Sequence, residues 1–174
     1  MIRIAQSIGK IFEKNFKNSF SENILVYRPP DQAQSFHKSS ELRFSRKSPC
    51  DFIIYNGSRL WTLELKTVAD TSISFERNMD EIGDIHYYQI ENLKNFARYK
   101  NVISGLIIDF RGSGHTYFLN INEWDHLINS INKKSFSENN LLELTHPILI
   151  NKKKLKINYR YDMDEFLTTT SELY

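Results

Sequence analysis

At 174 residues with an apolar fraction of 40%, the chain has the length and composition of one compact domain with a real core, and its 25% charged residues, 12 Phe and 9 Tyr exclude wholesale disorder. A net charge of +2 is too small to announce a polyanionic partner by itself, and the lone cysteine, Cys50, excludes an internal disulfide, which suits a reducing compartment. No apolar run approaches the length of a membrane span, so the expected location is cytoplasmic.

In chain order, Ile4, Ile8, Ile11, Phe12, Phe16 and Phe20 recur at three- and four-residue spacing and predict an amphipathic helix over roughly residues 2 to 20. Ile24 to Tyr27 reads as a short strand stopped by Pro29 and Pro30. The stretch from Arg28 to Lys47 is poorly periodic and basic, with Arg28, Lys38, Arg43, Arg46 and Lys47 set against Asp31 and Glu41; Lys152, Lys153, Lys154 and Lys156 form a second basic cluster. Next, Asp51 to Tyr55 and Arg59 to Lys66 flank Asn56-Gly57, the pair that most favours a two-residue type I′ hairpin turn. That turn sets Tyr55 opposite Ser58, Phe52 opposite Trp61 and Asp51 opposite Thr62.

A polar loop is expected from about Val68 to Gly83. A helix follows over His86 to Tyr99, with Ile90, Leu93, Phe96 and Ala97 on one face, then a covered strand over Val102 to Asp109 and its hairpin partner at Thr116 to Leu119. A short helix at Asn122 to Ile131, a loop at Ser135 to Asn140 and strand-like pieces at Ile148 to Ile150 and Lys156 to Tyr161 complete the reading. This order implies an α/β fold, a mixed β-sheet flanked by helices.

The residues that carry chemistry sit on the hairpin. Side chains alternate along a strand, so Thr62, Glu64 and Lys66 share a face with Asp51, whereas Trp61, Leu63 and Leu65 share the other with Phe52. Asp51 and Glu64 are then diagonal neighbours, near enough to share a divalent cation, with Lys66 beside them as a compact positive charge. A Glu-x-Lys pair on a strand is by itself ordinary solvated surface. Here an acidic residue opens the partner strand on the same face and the reverse face is strongly apolar, which favours phosphodiester hydrolysis with magnesium or manganese.

These residues resemble a known signature. Ser48-Pro49-Cys50-Asp51, the Asn56-Gly57 turn and Glu64-Leu65-Lys66 look like the PD-(D/E)xK nuclease motif with a spacing similar to that of RecU Holliday junction resolvases. Gly9-Lys10-Ile11-Phe12-Glu13 resembles the Gly-Lys-x-x-Glu of the first RecU helix, and His86-Tyr87-Tyr88-Gln89-Ile90-Glu91 is similar to the family's His-x-x-Gln-Ile-Glu helix. Gly105 to Ile108, Tyr117 to Leu119 and Ile157 to Tyr174 also match, so the likeness covers nearly the whole chain. It implies one restriction-endonuclease-like nuclease domain over residues 1–174, with a short basic stalk-like insertion at 28–47.

It further implies Asp51, Glu64, Lys66, Glu13 and Gln89 as catalytic residues, with Asp51, Glu64 and Glu13 on the metal, and a homodimer that cuts four-way DNA junctions in recombination and repair. Arg28, Lys38, Arg43, Arg46 and Lys47 would contact phosphates. Two departures stand out: the stalk is shorter than in RecU, and Pro49 and Cys50 replace the usual threonines before the Asp. The other readings are a nuclease of ordinary duplex or other branched DNA, and a non-catalytic DNA-binding recombination factor.

Overall fold

The computed structural model describes residues 7–30 and 48–174. The elements in chain order are α1 (Ile8–Lys17), β1 (Leu25–Tyr27), β2 (Phe52–Tyr55), β3 (Leu60–Val68), β4 (Ser72–Ser74), α2 (Tyr87–Ala97), β5 (Val102–Phe110), β6 (His115–Asn120), α3 (Trp124–Asn129), β7 (Ser135–Ser137), α4 (Glu138–Leu144), β8 (Ile148–Leu149), β9 (Lys152–Lys154), β10 (Tyr159–Tyr161) and α5 (Met163–Leu173). A 3-10 turn at Ile121–Glu123 leads into α3. Among the described residues no helix is long and apolar enough to cross a membrane.

Six strands form the central sheet in the order β1-β2-β3-β5-β6-β8. β3 pairs in parallel with β5 through the α2 crossover, and the other neighbours are antiparallel, so the sheet is mixed and the fold is α/β as expected. Each face of the sheet carries an apolar cluster. One gathers Ile90 and Leu93 of α2 with Leu106, Ile108, Trp124 and Phe136; the other gathers Phe12 and Phe16 of α1 with Trp61, Leu63, Phe118 and Phe166. Burial on both faces explains why Trp61 to Leu65 are all enclosed, and Trp61 satisfies its indole N–H by donating to Thr170 Oγ1 at 2.9 Å. Gly105 is required by close approach: a Cβ there would collide with the Leu119 carbonyl and the Phe118 ring.

Several elements differ from expectation. Within the described residues α1 begins at Ile8, because Ser7 is extended and its hydroxyl accepts from Lys10 N as an N-cap; residues before Ser7 lie outside the described set. The turn after β2 is longer than two residues, and Tyr55 pairs with Leu60 instead of Ser58. Asn56 makes the difference: its side-chain oxygen accepts from Ser58 N at 3.0 Å and Arg59 N at 2.9 Å while Gly57 takes φ +98°. The register therefore slides by two residues, which keeps every side chain on its predicted face.

Two regions read as loops contain structure. Ser-Ile-Ser of β4 pairs with Ser-Phe-Ser of β7, each burying its central residue, Ile73 or Phe136, in strands too short to show alternation. Residues 138–140 open α4, capped by Ser137. Near the C-terminus, Lys156 to Tyr161 is a strand only from Tyr159, and α5 was not expected at all, although Met163, Phe166, Leu167 and Thr170 bury one helical stripe behind the Asp162 cap.

Candidate active site

The two-residue slide brings Asp51 nearer to Glu64 than the diagonal arrangement would. Phe52 pairs with Leu63 and Asp51 N donates to Leu63 O at 3.0 Å, which sets Asp51 alongside Glu64 at the point where β2 leaves β3. The next inward-facing donor of β3, Leu65 N, is satisfied by Asp51 Oδ2 at 2.8 Å. The Asp51 carboxylate is thus tied to the backbone between Glu64 and Lys66. On that face Lys66 Nζ stands 3.3 Å from Glu64 Oε1.

Helix α2 closes the site from the next layer. Gln89, buried one turn into the helix, accepts from His86 N through Oε1 at 3.0 Å and donates through Nε2 to the Glu64 carboxylate. The amide therefore ties the helix start to the acidic group on β3. Its two ends have opposite hydrogen-bonding character, as both partners require.

Glu64 is buried, with 4% of its surface exposed. Burial and the Asp51 charge push its pKa up to about 8, with Lys66 acting against them and Glu13 adding a smaller upward push. Two carboxyl groups that resist simultaneous ionisation, flanked by one lysine, make a site whose charge a divalent cation would balance. The Cys50 thiol is pushed up to about 12, first by burial and then by Glu64 and Asp51, so it stays protonated.

The structure brings together Asp51, Glu64, Lys66 and Gln89. Glu13 lies within electrostatic range of Glu64, and its Oε2 meets Arg28 Nε at 2.9 Å. Arg28, expected to face a phosphate, is therefore engaged with that acid. Lys38, Arg43, Arg46 and Lys47 lie outside the described residues. Among the described residues no three His, Cys, Asp or Glu side chains converge into a metal cage; the donor set that fits a cation is the Asp51–Glu64 pair. Two hard oxygens suit magnesium, which retains several waters and binds through one or two carboxylates.

Two neighbours were missed by the sequence reading. Glu76, from the segment taken as loop, accepts from His86 Nδ1 at 2.7 Å and from Tyr87 N at 2.8 Å. Burial opposes its charge, but these bonds outweigh it and hold the carboxyl below its ordinary value. Tyr88 stacks on His86 with ring centroids 5.5 Å apart, and its hydroxyl is pushed up by burial and then by the charges of Glu64, Asp51 and Glu76. His86 is thus a helix-start histidine held by a carboxylate. The paired tyrosines at the helix start were the available signal; nothing marked Glu76.

No family model matches the chain. Among curated proteins it is similar to the SPbeta prophage-derived uncharacterized protein YotM of Bacillus subtilis (strain 168), with 29% identity over 173 residues, covering 92% of this chain and 85% of that protein. Among solved structures it is similar to Hjc of Archaeoglobus fulgidus, described as a Holliday junction resolvase from an archaeal hyperthermophile. That likeness has a TM-score of 0.43 and 14% identity, over 70% of this chain and 80% of the other. Neither value assigns a family.

Proposed function

We propose that this protein is a metal-dependent DNA endonuclease that hydrolyses phosphodiesters in four-way junctions during recombination and repair. The observation that carries the reading is the ring of side chains at the β2–β3 divergence, with Asp51 bonded to the backbone between Glu64 and Lys66 and Lys66 Nζ 3.3 Å from Glu64. Asp51 and Glu64 would hold magnesium or manganese, with Glu13 near enough to bias the site by its charge. When bound, the ion supplies charge neutralisation at the phosphate and a more acidic water.

The chain's own groups do the rest. Gln89 fixes the orientation of the Glu64 carboxylate, and Asp51 is fixed by Leu65 N–H. Lys66 supplies a compact cation that stabilises charge developing on the phosphoryl oxygens as the P–O bond to the leaving oxygen breaks. A four-way junction has two-fold symmetry, so paired cuts call for two sites and hence a homodimer. Arg28, Lys38, Arg43, Arg46 and Lys47 are proposed phosphate contacts, with Arg28 exchanging Glu13 for the DNA.

The test is cleavage of labelled junction, fork and linear duplex by the wild-type protein, with magnesium and with EDTA. The reading expects magnesium-dependent cuts with the junction preferred. Equal cutting of linear duplex would leave a nuclease without junction selectivity, and binding with no cutting of any substrate would leave a DNA-binding recombination factor.

A further inference from the structure

The most lopsided charge in the molecule lies away from the acidic pair. From His146 to Tyr161 the chain contains Lys152, Lys153, Lys154, Lys156 and Arg160 and no Asp or Glu, while the whole chain totals only +2, so the remaining residues sum to a net negative charge. The β9–β10 hairpin carries these cations. Among the described residues its strands pair only with each other, and its outer side packs on no further strand.

The five cations are not equivalent. Lys152 Nζ lies 2.5 Å from Asp109 Oδ1 and 2.8 Å from Thr116 Oγ1, with its ammonium 5.0 Å from the Tyr159 ring centre, so it roots the hairpin on the sheet. Tyr161 N donates to Ser19 Oγ at 2.9 Å and Asp162 N to Asn151 O at 2.8 Å, which fixes the second strand. Lys153, Lys154, Lys156 and Arg160 are exposed and none forms an ion pair within the described residues. Lys153 and Arg160 are direct cross-strand partners. Like charges so placed destabilise a ladder unless an anion spans them. Both border a hollow of about 520 Å³ that Asp162 and Asp164 also line without reaching either cation.

Position decides which anion. Asp109, which anchors Lys152, also accepts from Thr67 Oγ1 at 3.4 Å, and Thr67 follows Lys66 in β3. Lys66 and Thr67 point to opposite faces, so the hairpin is rooted on the reverse face of the sheet from the acidic pair, one residue along β3 from Lys66. We infer that the β9–β10 hairpin is a second nucleic-acid-binding surface, on which Lys153, Lys154, Lys156 and Arg160 contact backbone phosphates of the DNA arm leaving the active site. This rests on the nuclease reading for the choice of DNA. The exposed Leu155 and Ile157 at the tip would pack on sugars or an opened base step.

The experiment is fluorescence anisotropy of a labelled duplex and a labelled four-way junction in EDTA, over about 50 to 200 mM salt, for the wild type and for K153Q/K154Q/K156Q/R160Q. At low salt the variant should bind at least about tenfold more weakly, with the slope of log affinity against log salt flattened by about 0.9 for each phosphate that is no longer neutralised and an unchanged melting temperature. The charge-reversal pair K153E/R160E, also exposed, should show the same direction and guards against a folding defect in the first variant.

Wild-type affinity and slope in both variants overturn the inference. So does a result in which the variants lose binding only to phosphatidylserine vesicles, since the partner is then a membrane surface. Because binding is read without hydrolysis, a wild type that binds through the hairpin yet cuts nothing overturns the catalytic reading alone. A wild type that cuts while both variants bind normally overturns the hairpin alone.

Discussion

Glu64 shows what the proposed chemistry asks of one side chain. It is enclosed on β3, bonded by Gln89 and adjacent to Asp51, so its folded pKa of about 8 stands above the ordinary 4.5. Between those values the native protein holds a proton that the unfolded chain releases, so without a divalent cation the contribution of this one group to stability is fully present below about 4.5 and is lost as pH rises through 8. The urea midpoint in EDTA should therefore fall from pH 5 to pH 8.5, and Glu64→Gln, which cannot ionise, should remove a large part of that fall. The same pH dependence in wild type and variant would mean that Glu64 does not titrate in this window. The lysine two residues on acts with the opposite sign, because its 3.3 Å approach to Glu64 only partly offsets the cost of burial and of Asp51.

Among elements, those with strong periodicity were legible and those defined by tertiary pairing were not. The β2–β3 hairpin, α2 and the β5–β6 hairpin follow directly from alternation, a 3.6-residue stripe and a covered apolar run. The register itself was not legible, since sliding by two residues preserves the faces; the Asn56 side chain decided it by capping two backbone N–H groups. β4 and β7 could not be read, because three residues with one buried apolar side chain carry no period. The shared face survived these errors because face depends on parity alone, so the grouping of Asp51, Glu64 and Lys66 was legible whereas the approach of Glu76 and Tyr88, brought in by the loop and by α2 packing, was not. Packing at the centre of the sheet makes a further prediction. Gly105→Ala forces a methyl against Leu119 and Phe118 and should destabilise the protein by about 1–3 kcal/mol in urea unfolding. An unchanged midpoint would mean that the β5–β6 packing is looser than described.

At the scale of the whole molecule, the sheet separates two apolar cores, and at the β2–β3 divergence it sets Asp51 alongside Glu64, which is buried beneath α2. Junction cutting in pairs predicts a dimer, so light scattering at micromolar concentration should return twice the mass of one chain, and a strictly monomeric protein that still makes paired cuts would contradict the symmetry argument. The proposed hydrolysis is best tested by single-turnover nicking of a four-way junction in magnesium by the wild type, Asp51→Ala and Lys66→Ala, with junction binding measured alongside in EDTA. Both variants should lose at least about a hundredfold in rate while binding stays within a few fold of wild type. Full nicking by both would contradict the account.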